Sequence, residues 1–216
     1  VKYELLIFDW DGTLMDSAGH IVASLQGAAR DMDLPVPPPE KARYVIGLGL
    51  VQALEYLFPM LPEADHPRLA DCYRNHYLGQ DHAIPLFEGA DSMLRGLHAR
   101  GHVLAVATGK SRRGLDQAMQ HTALEPIFTA TRTADQTFSK PHPAMIEEII
   151  AEVGGRPETT LMIGDTSHDL QMAVNAGVAG LGVSYGAHTV DLLQGCNPLA
   201  IVDTMTALAN WLDENG

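Results

Sequence analysis

Two carboxylates one residue apart, Asp9 and Asp11, follow directly on the apolar run Leu5-Leu6-Ile7-Phe8 and precede Gly12. So short a run, without polar alternation, reads as a strand buried on both faces, as in a parallel sheet. Strand side chains two apart point the same way. Both acids can therefore face one site just past the strand's C-terminal end, the edge at which open parallel sheets bind ligands. Paired acids ending a buried strand put charge where it is unfavourable, and a metal cation is the offset that suits them. The plainer alternative is an acidic turn that caps the next helix. Two more apolar runs end in reactive groups. Residues 102–107 lead into Thr108-Gly109-Lys110, and residues 160–163 into Gly164-Asp165, with Asp169 four positions on. Lys140 sits between Ser139 and Pro141 in a rigid loop. Each has an ordinary reading by itself: Thr108 as an N-cap, Asp165 and Asp169 as a cap and a first-turn acid, Lys140 as a surface lysine, Lys110 as part of a loop. Three such strand ends at one sheet edge, with a lysine held beside them, point jointly to metal and anion chemistry.

The elements that must position these groups alternate. Strands are expected at residues 5–8, 102–107, 127–131, 160–163, 178–183 and 200–202. Helices are expected at 88–100, 112–124, 144–153 and 170–176 and at the C-terminus. Strands alternating with helices mean a parallel sheet covered on both faces, an α/β, doubly wound Rossmann-like fold. Residues 15–84 interrupt that alternation. They carry helical spacing at 17–32, with Asp16 or Ser17 as N-cap, then the loop Pro35 to Pro39, and further helices at 40–46, 50–58 and 63–78. They read as a small α-helical cap domain inserted into a core made of residues 1–14 and 85–216. No repeat or low-complexity segment is present.

The 216 residues are 46% hydrophobic, which suits one large domain or a core with a small insertion. A net charge of -13 speaks against nucleic acid or an anionic membrane as partner, since both need basic patches. Cys72 and Cys196 match no metal-binding spacing and read as free thiols. No apolar run is long enough to span a bilayer. The first strand begins almost at once, leaving no room for a leader, so the expectation is a soluble cytoplasmic protein, a monomer or a homodimer.

Asp-x-Asp-Gly-Thr-Leu-x-Asp-Ser, then Thr-Gly-Lys, Ser-Lys-Pro and Gly-Asp-Thr-x-x-Asp, in that order and after those strands, resembles the haloacid dehalogenase superfamily. Within it the chain is most similar to the phosphoglycolate phosphatase group, through Asp16-Ser17-Ala18 and the stretch Arg43-Tyr44-Val45-Ile46-Gly47-Leu48-Gly49. The resemblance covers the whole chain and implies an Mg²⁺-dependent phosphatase acting on a small phosphorylated metabolite. It implies Asp9 as nucleophile, with an aspartyl-phosphate intermediate. Mg²⁺ would sit on the Asp9 carboxylate, the Asp11 backbone carbonyl and Asp165. The Asp11 side chain would serve as acid and then base. Thr108, Gly109, Lys110 and Lys140 would hold phosphate, and Asp169 would orient Lys140 or a metal water. Arg43, in the cap, is a candidate for a second anionic group on the substrate.

Other readings remain to be weighed. A dehalogenase of the same superfamily lacks the second acid, which Asp11 supplies here. A phosphomutase carries a cap histidine four residues after the position of Ser17; that position is Ile21, and His20 falls one short, about 100° round a helix. A phospho-acceptor regulatory module has no inserted cap. A catalytically dead binding protein would not need Asp9, Asp11, Lys140 and Asp165 together. Two departures from the phosphoglycolate phosphatase group bear on the substrate. Gly109 stands where the group commonly has Asn, and Leu48 where it often has Asn. His142 and His168 occupy variable positions inside the motifs and are expected at the surface or beside the substrate. Arg112-Arg113 is expected to be a solvated helix start.

Overall fold

The computed structural model describes residues 2–79 and 84–216. Its centre is β1, Leu5–Phe8, every residue of which is buried. The chain then forms α1 (Ala18–Asp31), α2 (Pro39–Tyr44), α3 (Leu50–Leu57) and α4 (His66–Gly79) before returning to the sheet through α5 (Ala90–Ala99) and β2 (Val103–Thr108). There follow α6 (Arg112–Thr122), β3 (Ala130–Thr133), α7 (Ala144–Val153), β4 (Thr160–Gly164), α8 (Ser167–Asn175) and β5 (Ala179–Val183). The chain ends with α9 (Val190–Gln194), β6 (Ile201–Val202) and α10 (Met205–Asn215).

The six strands form one parallel sheet in the order β3-β2-β1-β4-β5-β6. From β1 the chain winds outward through β2 and β3, then crosses to β4 and winds the other way. The switch point beside β1 opens the crevice in which doubly wound sheets bind ligands. Alternation along β1 explains its burial. Leu6 and Phe8 pack with α5, α6 and α10 on one face, and Leu5 and Ile7 with α7 and α8 on the other. Fully burying each such side chain is worth about 1.5–3 kcal/mol.

Helices α1–α4 make a third apolar cluster of their own, around Leu25, Ala28, Leu54 and Leu69. The two chain crossings that lead into and out of this unit lie side by side. Asp16 N–H donates to Pro85 O at 3.0 Å, and Phe87 N–H to Leu14 O at 2.9 Å. Residues 80–83, in the expected cap range, lie outside the described residues, as does Val1.

Four expectations need correction. Residues 125–127 form a single 3-10 turn with Pro126 in its first positions, so β3 starts only at Ala130. Proline fixes φ and lacks a donor, which suits a turn start better than a strand. Helix α8 begins three residues early, because Thr166 and Asp169 close a capping box. Ser17 occupies an N-cap position, but its hydroxyl caps nothing and donates instead to Asp11. Helix α9 was not expected at all: five residues carry too little periodicity to show.

Candidate active site

The site starts with the turn after β1. Gly12 has φ +82°, and a Cβ there would lie 2.2 Å from Asp165 Oδ2. Only glycine lets the β1 loop pass this close to the carboxylate after β4. Asp165 is fully buried and held from both sides: Thr13 Oγ1 donates to Oδ1 at 2.8 Å and Ala187 N–H to Oδ2 at 2.7 Å. Burial, then the nearby Asp169 charge, pushes its pKa up to about 7.

Lys140 ties the other acids together. Its Nζ lies 2.7 Å from Asp9 Oδ1 and 2.6 Å from Asp169 Oδ1. Burial lowers the ammonium's affinity for its proton, but Asp169 and Asp9 outweigh that and raise its pKa. The remaining Asp169 oxygen accepts from Thr166 N–H at 3.0 Å and Thr166 Oγ1 at 2.7 Å, so one residue caps α8 and grips the lysine. Asp9 is pushed well above the usual carboxylate range, chiefly by burial, with Lys140 opposing and Asp169 and Asp165 reinforcing. Its Oδ2 is buried and has no hydrogen-bond partner. An orphaned carboxylate oxygen is unfavourable unless something electropositive meets it. Asp9, Asp165 and Asp169 offer oxygens within 4.8 Å of one another. Hard oxygens at that spacing fit a small hard cation such as Mg²⁺.

Asp11 stands apart from this cluster. Its Oδ1 receives the Ser17 hydroxyl at 2.7 Å and lies 3.1 Å from Lys110 Nζ. Lys110 also donates to the Tyr77 hydroxyl at 3.0 Å and lies 4.9 Å from the centre of that ring. Burial disfavours the charged lysine, yet Asp11 and the tyrosines leave its pKa raised. Within the cluster itself, three carboxylates (Asp9, Asp165, Asp169) face the one ammonium group of Lys140, and with all three ionised one divalent cation would cancel the imbalance.

The expected phosphate-holding residues divide. Thr108 is fully buried and accepts Lys110 N–H at 3.2 Å. Gly109 lies directly under the α2–α3 loop, where an added Cβ would be 2.4 Å from Leu48 O and 2.6 Å from Gly47 O. That packing gives a local reason for glycine at this position. A cleft of about 1170 Å³ runs from Asp9 and Asp11 between α6 and the α1–α4 unit. Arg43 is not on its wall. It is exposed, and its guanidinium reaches Gly186 O at 3.4 Å.

The histidines fall out differently from expectation. His168 is buried, not at the surface, and its Nε2 shares the Tyr44 carbonyl with His188 Nε2, at 2.7 and 3.0 Å. His188 Nδ1 accepts Ser167 N–H at 3.0 Å, so its proton sits on Nε2. Burial lowers the pKa of both rings. His20 is held by Tyr77, with ring centres 4.7 Å apart and Nε2 2.8 Å from Tyr77 O. His142 is exposed and stacks on Phe138. Arg112 is not free in solvent but bonds Thr131 Oγ1 at 2.6 Å, while Arg113 is exposed on the cleft wall.

Sequence reasoning missed Thr13, Ser17, Tyr77 and the Ala187 amide. Thr13 and Ser17 lie inside the opening motif, and that position was their only signal. Tyr77 and Ala187 reach the site only through the fold.

A doubly wound sheet with a lysine-bridged carboxylate cluster at its switch point is an arrangement able to hold a divalent cation and a phosphoryl group together. The profile of the haloacid dehalogenase-like hydrolases matches residues 6–183, and the chain belongs to that family. It is 35% identical over 208 residues to the probable phosphatase IndB of Dickeya dadantii, covering 94% of this chain and 90% of that one. It is 30% identical over 219 residues to the phosphoglycolate phosphatase of Agrobacterium fabrum, covering 97% and 92%. A hydrolase structure from Pseudomonas syringae superposes with a TM-score of 0.89 at 24% identity, covering 98% of each chain, a likeness of fold.

Proposed function

We propose that the protein is an Mg²⁺-dependent phosphomonoesterase working through an aspartyl phosphate on Asp9, with residues 15–84 acting as a cap. The observation that carries this reading is the Asp9 carboxylate, with Oδ1 held by Lys140 and Oδ2 buried without a partner. Asp9, Asp165 and the Asp11 backbone carbonyl would hold the cation, with Asp169 beside them. When bound, it supplies the positive charge that lets a phosphate dianion approach this acidic edge.

The chain's own groups account for the bond changes. The Asp9 carboxylate attacks phosphorus as the bond to the ester oxygen breaks. Asp11 gives that oxygen its proton, and the alcohol leaves. Asp11, now a carboxylate, takes a proton from a water as the water oxygen attacks phosphorus. Inorganic phosphate leaves and the Asp9 carboxylate is restored. Lys140 keeps Asp9 oriented and balances charge through both steps. Gly109 N–H, near the start of α6, would donate to a phosphoryl oxygen. Neither alternative within the superfamily gains support: Asp11 is present, and His20 is committed to Tyr77 rather than lining the cleft.

The test is phosphate release from nitrophenyl phosphate with and without Mg²⁺, for the wild type, Asp9→Asn and Asp11→Asn. Release should need Mg²⁺ and vanish in Asp9→Asn. Asp11→Asn should accumulate a phosphoryl adduct, visible by mass spectrometry after acid quench. Turnover by Asp9→Asn within about tenfold of wild type would end the nucleophile assignment.

A further inference from the structure

We propose that the cleft selects phosphomonoesters of a bulky, ring-bearing alcohol of the nucleoside kind, uncharged apart from the phosphate, over two- and three-carbon phosphorylated acids. This rests on the phosphomonoesterase reading above and adds the leaving group to it.

Size is the first argument. At about 1170 Å³ the cleft exceeds the roughly 300–1,000 Å³ typical of sites for drug-sized ligands. A glycolate leaving group would leave most of it to water. Part of the width comes from α6, which presents the small residues Gly114 and Ala118, one turn apart, to the cleft.

The wall chemistry is the second. The α1–α4 unit contributes Ile21, Leu25, Val45, Leu48, Val51 and Tyr77. Val51 and Leu78 on this wall are 56% and 59% exposed, apolar surface that a planar ring would cover. Opposite, Gln117 and Gln120 of α6 offer amides that both donate and accept, and Gln52 of α3 adds one on the near side. An apolar face bordered by amides matches a heterocycle, with its flat apolar faces and polar edge.

Charge is the third. A carboxylate close to the phosphate needs a cation that is still available. Lys140 is shared by Asp9 and Asp169, and Lys110 by Asp11 and the Tyr77 hydroxyl. Arg43 is turned to Gly186 O. Arg74 on the cleft wall is paired with Asp71 at 2.7 Å. Among the described residues, Arg113 is the one Lys or Arg of the cleft wall without a carboxylate partner; exposed on the first turn of α6, it is screened by solvent and would hold a substrate carboxylate only weakly.

The experiment compares kcat/KM for uridine 5′-monophosphate, adenosine 5′-monophosphate, phosphoglycolate and nitrophenyl phosphate, in wild type, Val51→Asn, Leu78→Asn and Arg113→Ala. The expected result is a nucleotide preference of about tenfold or more over phosphoglycolate. Val51→Asn and Leu78→Asn, which remove apolar surface without adding charge, should lower the nucleotide values about tenfold and leave phosphoglycolate within about twofold. Both positions are exposed, so folding is not at stake. Phosphoglycolate equal to or better than the nucleotides overturns the proposal, as does a phosphoglycolate activity that collapses in Arg113→Ala while the nucleotides are unaffected by Val51→Asn. No phosphate release from any ester, nitrophenyl phosphate included, would instead mean that the phosphomonoesterase reading itself has failed.

Discussion

Lys110 Nζ stands 3.1 Å from Asp11 Oδ1 and shares its remaining proton donors with the Tyr77 hydroxyl, 3.0 Å away. A lysine from the sheet edge is thereby held between the proposed acid and a tyrosine of α4. Tyr77 is itself fixed by His20, whose Nε2 meets the Tyr77 carbonyl at 2.8 Å. Any movement of α4 away from the sheet breaks the Tyr77–Lys110 contact and releases the lysine that orients Asp11.

Tyr77→Phe should therefore act through Asp11. It removes the phenol oxygen and keeps the ring. An alkyl phosphate needs its leaving oxygen protonated, whereas nitrophenolate leaves with little help. The expected outcome is a fall in kcat of about tenfold for an alkyl ester, with nitrophenyl phosphate within about twofold and KM little changed. Equal losses on both substrates in steady-state assays would make Tyr77 a packing residue only.

The acid cluster gives the metal-free protein a pH signature. Asp165 has its pKa raised from 3.8 to about 7. Between those values the folded state binds more protons than the unfolded state, so stability falls as pH rises through that window and levels off above about 7. For a fully buried group this loss is of the order of a few kcal/mol. His168 and His188, whose pKa values burial lowers, act in the opposite sense, and Asp9, raised by burial, in the same sense; with the two buried acids outweighing the rings, chelated protein should show a Tm lower at pH 7.5 than at pH 5. Added Mg²⁺ should raise Tm more at pH 7.5, where the carboxylates are ionised. A chelated Tm that rises steadily from pH 5 to 7.5, with no larger Mg²⁺ response at the higher pH, would contradict this account of the site.

Much of this fold was legible because its central strands β1, β2 and β4 are short, largely apolar and buried on both faces. β1 and β4 end where their apolar runs give way to the acidic motifs. The failures occurred where another interaction overrode local pattern. Ser17 looked like an N-cap, but the fold brought Asp11 within reach and the hydroxyl went to the stronger acceptor. Arg43 was read as a substrate contact because it sits near a glycine pair in sequence. Helix α2 aims it instead at the Gly186 carbonyl, 143 residues away. Tyr77 carried no signal, since an aromatic in a helix more often means core, and its partner Lys110 lies 33 residues further along. Contacts between the helical insertion and the sheet edge are set by tertiary packing, and these are the contacts that shape the cleft.

The seat of the α2–α3 loop on Gly109 supplies the last prediction. That loop touches the sheet edge at three places. Its Gly47 and Leu48 carbonyls lie over Gly109, Gly47 lies against the Thr166 side chain, and Gly49 N–H donates to Ser139 Oγ at 2.8 Å. The Ser139 contact places it one residue from Lys140. Gly109→Ala puts a methyl group 2.4 Å from Leu48 O and 2.6 Å from Gly47 O, and backbone oxygens have no rotamer by which to escape. The loop must lift, and the Gly49–Ser139 hydrogen bond should go with it. Amide exchange at residues 47–49 should then quicken, while exchange in β1 and β4, remote from the clash, stays slow. Displacement by about an ångström at a site of this kind reduces kcat/KM by on the order of a hundredfold. Nitrophenyl phosphate should share in that loss, because Gly109 lines the cleft together with Asp9 and Asp11. Unchanged exchange at 47–49, together with kcat/KM within about twofold of wild type, would show that the loop does not depend on Gly109 for its seat.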